Sequence, residues 1–194
     1  RPLEWPTMMA TLARTYGARG LALRAVHEVR RSLGRFRKKP RRIIEFAPAP
    51  MRHPFAVDAN TLANATNRAQ ALARAERVLA GDYQAYRTVW RPLPVGPSSW
   101  HRGANDAELV ADLPWWRSFP SDDSGVDVKD VWEPARFAWA YDLVRAWMIT
   151  RDDRYAAAFH RIFADWCESS PPFFGVHWAC GQEATIRALA LLYA

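Results

Sequence analysis

The chain has 194 residues, of which 49% are hydrophobic, with 10 Trp, 9 Phe and 6 Tyr and a formal net charge of +7. That is the composition of a soluble globular protein, with no stretch long and apolar enough to span a bilayer. Its two cysteines, Cys167 and Cys180, have neither metal-ligand spacing nor the number for a disulfide framework, so free buried thiols are expected.

The charge is unevenly placed. Residues 1–58 hold 13 Lys and Arg against 4 Asp and Glu, and the remainder holds 14 against 16. The excess centres on Arg30-Arg31-Ser32-Leu33-Gly34-Arg35-Phe36-Arg37-Lys38-Lys39-Pro40-Arg41-Arg42. Such a run suits a polyanion or an anionic surface, or is a solvated linker. With no recognised nucleic-acid motif beside it, nucleic acid is not the expected partner.

In chain order, a first helix is predicted over about 9–33, with Leu12, Tyr16, Leu23, Val26 and Leu33 near one face. Its recurring arginines separate it from a secretion signal. Pro48, Pro50 and Pro54 make 41–58 an extended linker. An Ala-rich helix follows from about 60 to 79 and stops at Gly81. Residues 82–128 carry five prolines and the aromatics Trp100, Trp115 and Trp116, and are expected to be an irregular segment that supplies the rim of a groove.

Helical patterning then becomes regular. Asp130 to Glu133 has capping-box spacing, and Phe137, Tyr141, Val144 and Met148 form an apolar stripe behind it. A second helix begins near Asp153 with a stripe of Tyr155, Phe159, Ile162 and Trp166. After Ser169-Ser170-Pro171-Pro172 a third helix is expected from about Trp178. Short connections of this kind produce antiparallel helical hairpins. Trp139, Trp147 and Trp166 fall to the core, and His101 and His160 to surface or packing roles. The run Ala188 to Ala194 has no helix stop, so the C-terminus reads as cut within a helix.

Several separated stretches together resemble one family. They are Asp127-Val128-Lys129-Asp130-Val131-Trp132-Glu133-Pro134-Ala135-Arg136, Ala140-Tyr141, Asp153-Arg154-Tyr155, Asp165-Trp166, and Gly175-Val176-His177-Trp178-Ala179-Cys180-Gly181-Gln182-Glu183 with Arg187. Their order and spacing are similar to the N-terminal helical domain of heparinase II/III polysaccharide lyases over roughly 125–194. The resemblance implies an all-α fold, an incomplete (α/α) toroid of antiparallel helical hairpins occupying 59–194 behind a basic helix and linker at 1–58. The family's β-sandwich domain is absent from this chain. It also implies β-elimination on uronic-acid-containing glycans, either heparin- or heparan-sulfate-like or bacterial exopolysaccharide, and a periplasmic or extracellular setting. No cofactor or metal is implied in this segment, and the partner is the acidic polysaccharide.

The resemblance places His177 at the position that serves the uronate end of the sugar, where many members carry Asn. The family's later Tyr and His would lie beyond Ala194, so this stretch by itself is expected to be inactive. His177 is therefore the catalytic candidate, on a bend that leads into a helix start where backbone N–H groups favour anions. Gln182, Glu183, Arg136 and Trp132 are the substrate-binding candidates. Each has a structural alternative: Glu183 has the i,i+4 spacing to pair with Arg187, and Glu133 can hold Arg136. Two other classes stay open, a non-catalytic glycan-binding or assembly protein and a toroid-type glycoside hydrolase with two carboxylates across a cleft.

Overall fold

The computed structural model describes residues 5–33, 68–96, 99–103, 105–121 and 124–194. Contacts divide the chain into two compact units, Arg1–Ala49 and Pro50–Ala194. Among the described residues no helix is long and apolar enough to cross a membrane.

In the first unit, helix α1 spans Trp5–Ser32 and starts earlier than the sequence suggested. Gly17 breaks it, with φ 63° and ψ 173°, a conformation open in practice only to glycine. Leu23, Val26 and Leu33, expected on one apolar face, are exposed. Most of the basic run and all of the Pro-rich stretch 41–58 lie outside the described residues.

Among its described residues the second unit is mostly helical, with one two-stranded hairpin. Helix α2 covers Arg68–Leu79 and buries Ala75 and Val78; the expected helix start at 60 lies outside the described residues. Strands β1 (Asp82–Ala85) and β2 (Val89–Pro92) pair antiparallel, with Asp82 opposite Pro92 and Ala85 opposite Val89. This hairpin falls in the segment expected to be irregular. Its signal is two short strands with Tyr83 and Ala85 alternating inward. Their turn holds Tyr86 and Arg87 at φ 50° and 61°, the left-handed backbone that tight hairpins need, without the Asn or Gly that would have announced it.

Three helices follow one another from residue 128: α3 (Val128–Ala135), α4 (Ala138–Thr150) and α5 (Asp153–Ser169). The cap of α3 is Asp127, whose carboxylate accepts from Lys129 N at 2.9 Å. Asp130, expected to cap, turns instead to Arg91 and the Tyr86 hydroxyl at 3.0 and 2.9 Å. Phe137 sits at φ 59° between α3 and α4, which resets the helical phase. Of the expected stripe Phe137 is buried, but Tyr141, Val144 and Met148 are only partly so, and the buried face of α4 is Trp139, Ala140, Asp142, Leu143 and Ala146. Asp142 tolerates burial because Arg74 of α2 donates to both its oxygens, at 2.9 and 3.1 Å.

Helix α5 matches its expected stripe, with Tyr155, Ile162 and Trp166 buried and Phe159 partly so. Asp152 caps it, accepting from Arg154 N at 3.0 Å. Two residues connect α4 to α5, which pack together as a helical hairpin. Helix α6 (Gly181–Tyr193) packs on α4 in turn. At the centre Phe137 meets Trp139, Phe163 and Trp166 edge-on, with centroids 5.0 to 5.7 Å apart. Burying those rings against Ile162 and Leu143 is the main stabilising term of this unit, roughly 1.5–3 kcal/mol for each large side chain.

Candidate functional site

The bend between α5 and α6 carries the motif residues. Pro171 and Pro172 end the helix, and Phe173 and Gly175 both take positive φ, 71° and 73°. Gly175 N donates to Leu113 O at 2.8 Å, and Phe174 bridges to Pro114, so the bend is pinned to the long connection before α3. Val176 to Trp178 form one 3-10 turn, and α6 begins three residues later at Gly181. His177 is therefore inside the turn rather than beside the first free N–H groups of α6.

Its ring is completely buried. Nε2 lies 2.8 Å from Trp100 O. Its neighbour is His101, also fully buried, with ring centroids 4.8 Å apart, and His101 Nε2 lies 2.9 Å from Ser169 O. A carbonyl only accepts, so Nε2 carries a proton in both imidazoles, and burial keeps both rings neutral. Each Nδ1 is then a buried lone pair with no partner. Burial pushes His177 down to about 3, with the neighbouring His101 adding to the effect, and burial lowers His101 as well. Trp100 is fixed from the other side: its Nε1 donates to Asp165 at 2.6 Å, and Gly96 N donates to the same carboxylate.

Around this pair the remaining candidates form two linked contacts. Trp132 Nε1 donates to Val176 O at 3.0 Å, tying α3 to the 3-10 turn. Arg136, at the end of α3, donates to both oxygens of Glu183 at 2.7 and 2.8 Å and to Glu133 at 2.5 Å. The guanidinium is held charged chiefly by Glu183, so its pKa rises. The other oxygen of Glu133 accepts Tyr86 N from the hairpin turn at 2.7 Å. Glu183 thus pairs across the fold with Arg136 and not with Arg187 one turn on. Arg187 is free to turn inward, where its Nη2 donates to His177 O. Burial lowers its pKa.

The structure therefore joins Trp132, Glu133, Arg136, His177, Glu183 and Arg187 through a short chain of bonds and packed turns. Gln182 is exposed and outside those contacts, and Arg136 is part-exposed. Sequence reasoning missed the link of His101 and Trp100 to His177, and Trp100, expected on the rim of a groove, is fully buried. Both residues belong to a Pro-rich segment without periodicity, and the contact from Trp100 to His177 spans 77 residues. His101, expected to be an isolated surface or packing residue, is a buried partner of His177. Cys167 is exposed and Cys180 partly so, both free, where buried thiols were expected. Among the described residues no group of three or more His, Cys, Asp and Glu side chains is placed to hold a metal.

Comparison with protein-family models, curated proteins and solved structures finds no match to this chain.

Proposed function

We propose that this protein is a polysaccharide lyase that cleaves a uronic-acid-containing acidic glycan by β-elimination, and that its helices belong to an α/α toroid. One observation carries the reading. Motif stretches that resemble the heparinase II/III family, 44 and 47 residues apart, meet in the structure through Trp132 on Val176 O and Arg136 on Glu183, and within the second stretch Arg187 bonds His177 O.

The reaction needs three things: the C6 carboxylate neutralised, the C5 proton removed, and the departing 4-oxygen protonated. Neutralising the carboxylate is what makes the C5 hydrogen acidic enough for a side-chain base. Of the candidate site residues, Arg136 and Gln182 are those that solvent reaches, and they are assigned to the anionic sugar. Glu183, Glu133 and Trp132 hold Arg136 and the turn in position. His177 is kept neutral, the form a base requires, but a substrate touches it only if the 99–101 turn moves off its ring.

That burial also favours a second reading, a glycan-binding protein without catalysis. Assaying the full-length protein separates the two, by the near-ultraviolet absorbance of the unsaturated uronate that β-elimination creates. The lyase reading expects that signal, and expects His177→Ala to reduce turnover by about 10²–10⁴-fold with the fold intact. Cleavage without the absorbance identifies a hydrolase. Glycan binding with no cleavage supports the second reading, and full lyase activity in His177→Ala makes the His structural.

A further inference from the structure

Packing of α5 and α6 against the start of α4 leaves a cavity of about 400 Å³ beside Arg187. That is a size suited to a small ligand. Phe137, Phe163, Trp166 and Trp178 wall it, and Phe163 and Trp166 lie nearly parallel, 14° apart in plane. Flat apolar walls of this kind favour a flat aromatic body.

Two polar side chains on its border are 3% and 1% exposed, Arg187 and Ser170. Each has an unmet bond, since Arg187 Nη1 and Ser170 Oγ have no hydrogen-bond partner. The acceptor Arg187 does have is an uncharged carbonyl, His177 O. Its guanidinium carbon otherwise faces the rings of Trp166 and Trp178, at 5.5 and 5.7 Å. Glu183, the acid one turn earlier, is engaged by Arg136. A buried cation in that position lacks a directly bonded anion, which is costly unless something supplies one. A sugar does not fit the vacancy in chemistry, because its hydroxyls would lose water against walls that offer almost no partners.

We infer that this cavity binds a small aryl carboxylate, its ring against Phe163 and Trp166 and its carboxylate on Arg187 Nη1 and Ser170 Oγ. The site is separate from the glycan surface at Arg136 and Gln182 and does not depend on the lyase reading. Both polar atoms are buried, so the ligand reaches them only as the surrounding wall shifts, and tryptophan emission reports that shift.

The test is titration of the full chain with phenylacetate and with the uncharged isostere phenylacetamide, followed by calorimetry, tryptophan emission and melting temperature. Phenylacetate is expected to bind and to raise the melting temperature with concentration. The amide is expected to bind at least about tenfold more weakly, the effect of one charge-assisted bond. Ser170→Ala keeps the cavity and is expected to weaken phenylacetate about threefold. Ala188→Phe, introduced at an exposed lining position, is expected to fill the mouth and abolish binding while circular dichroism stays unchanged. Equal affinity for acid and amide, undiminished binding in either variant, or no phenylacetate binding at about 10 mM overturns the inference.

Discussion

Gly175 shows how one residue sets the geometry of the candidate site. Its φ of 73° and ψ of 171° lie in a region that side-chain-bearing residues essentially do not occupy. A Cβ there would also stand 2.8 Å from His101 Cε1 and 3.2 Å from Ala111 O. The backbone and the His ring are thus in contact only because no side chain intervenes. Gly175→Ala is expected to lose about 3 kcal/mol from strain and displacement together, a fall of roughly 10 °C in melting temperature. Gly81→Ala is the control: it also has positive φ, but its Cβ would meet nothing within 4 Å, so it measures the backbone part alone. If the two variants melt together, the close approach to His101 is not tight in solution. The sequence did mark Gly175 as a turn residue. It gave no sign of what the glycine makes room for, because His101 lies in another segment altogether.

At the level of elements, the α3 to α6 contact rests on Arg136 between two glutamates. Glu183 is 3% exposed and Glu133 7%, so neither carboxylate has much water as an alternative partner. Glu183→Gln keeps the shape and removes the charge. The expected cost is about 1–3 kcal/mol, since Arg136 keeps Glu133 and some solvent. An i,i+4 pair with Arg187 on the surface of α6 would be worth only about 0.2–0.5 kcal/mol. Urea denaturation of Glu183→Gln, Arg136→Gln and the double variant decides between them. Strong coupling within that pair supports the cross-helix contact, and additive losses would refute it. Periodicity made α5 legible, from its start near Asp153 to Trp166. It placed α4 and buried Phe137 but missed the rest of the buried face, because Phe137, a non-glycine residue, takes a left-handed backbone and no propensity forecasts that. It failed for the hairpin, whose turn is Tyr86-Arg87-Thr88.

On the scale of the whole molecule, His101 and His177 join parts of the second unit that are distant in sequence. Through Nε2 they tie the 99–101 turn to the end of α5 and the 176–178 turn to Trp100, while Arg187 of α6 grips His177 O. The groups facing the pair are Arg187 at the turn, Glu108 on the connection before α3, and Glu183 acting on Arg187. Asp165 is committed to Trp100 and Gly96. None of these carboxylates bonds either imidazole, so a proton on the pair would be a buried charge next to a buried guanidinium. In the unfolded chain each His takes its proton near pH 6.5, whereas folded His177 resists until about 3 and folded His101 is shifted the same way. The unfolded state therefore binds more protons throughout that window. The stability from the neutral pair is complete above pH 6.5 and drains away as pH falls toward 3, by up to about 1.4 kcal/mol per pH unit for each imidazole. Urea midpoints are expected to stay level from pH 7.5 to about 6.5 and to fall from there down to pH 4. In His101→Gln, which still offers a donor to Ser169 O, the slope is expected to shrink by the share of one imidazole. A wild-type midpoint that stays flat from pH 7 to 4.5 would mean that water already reaches the pair, and that the turn over His177 is open in solution.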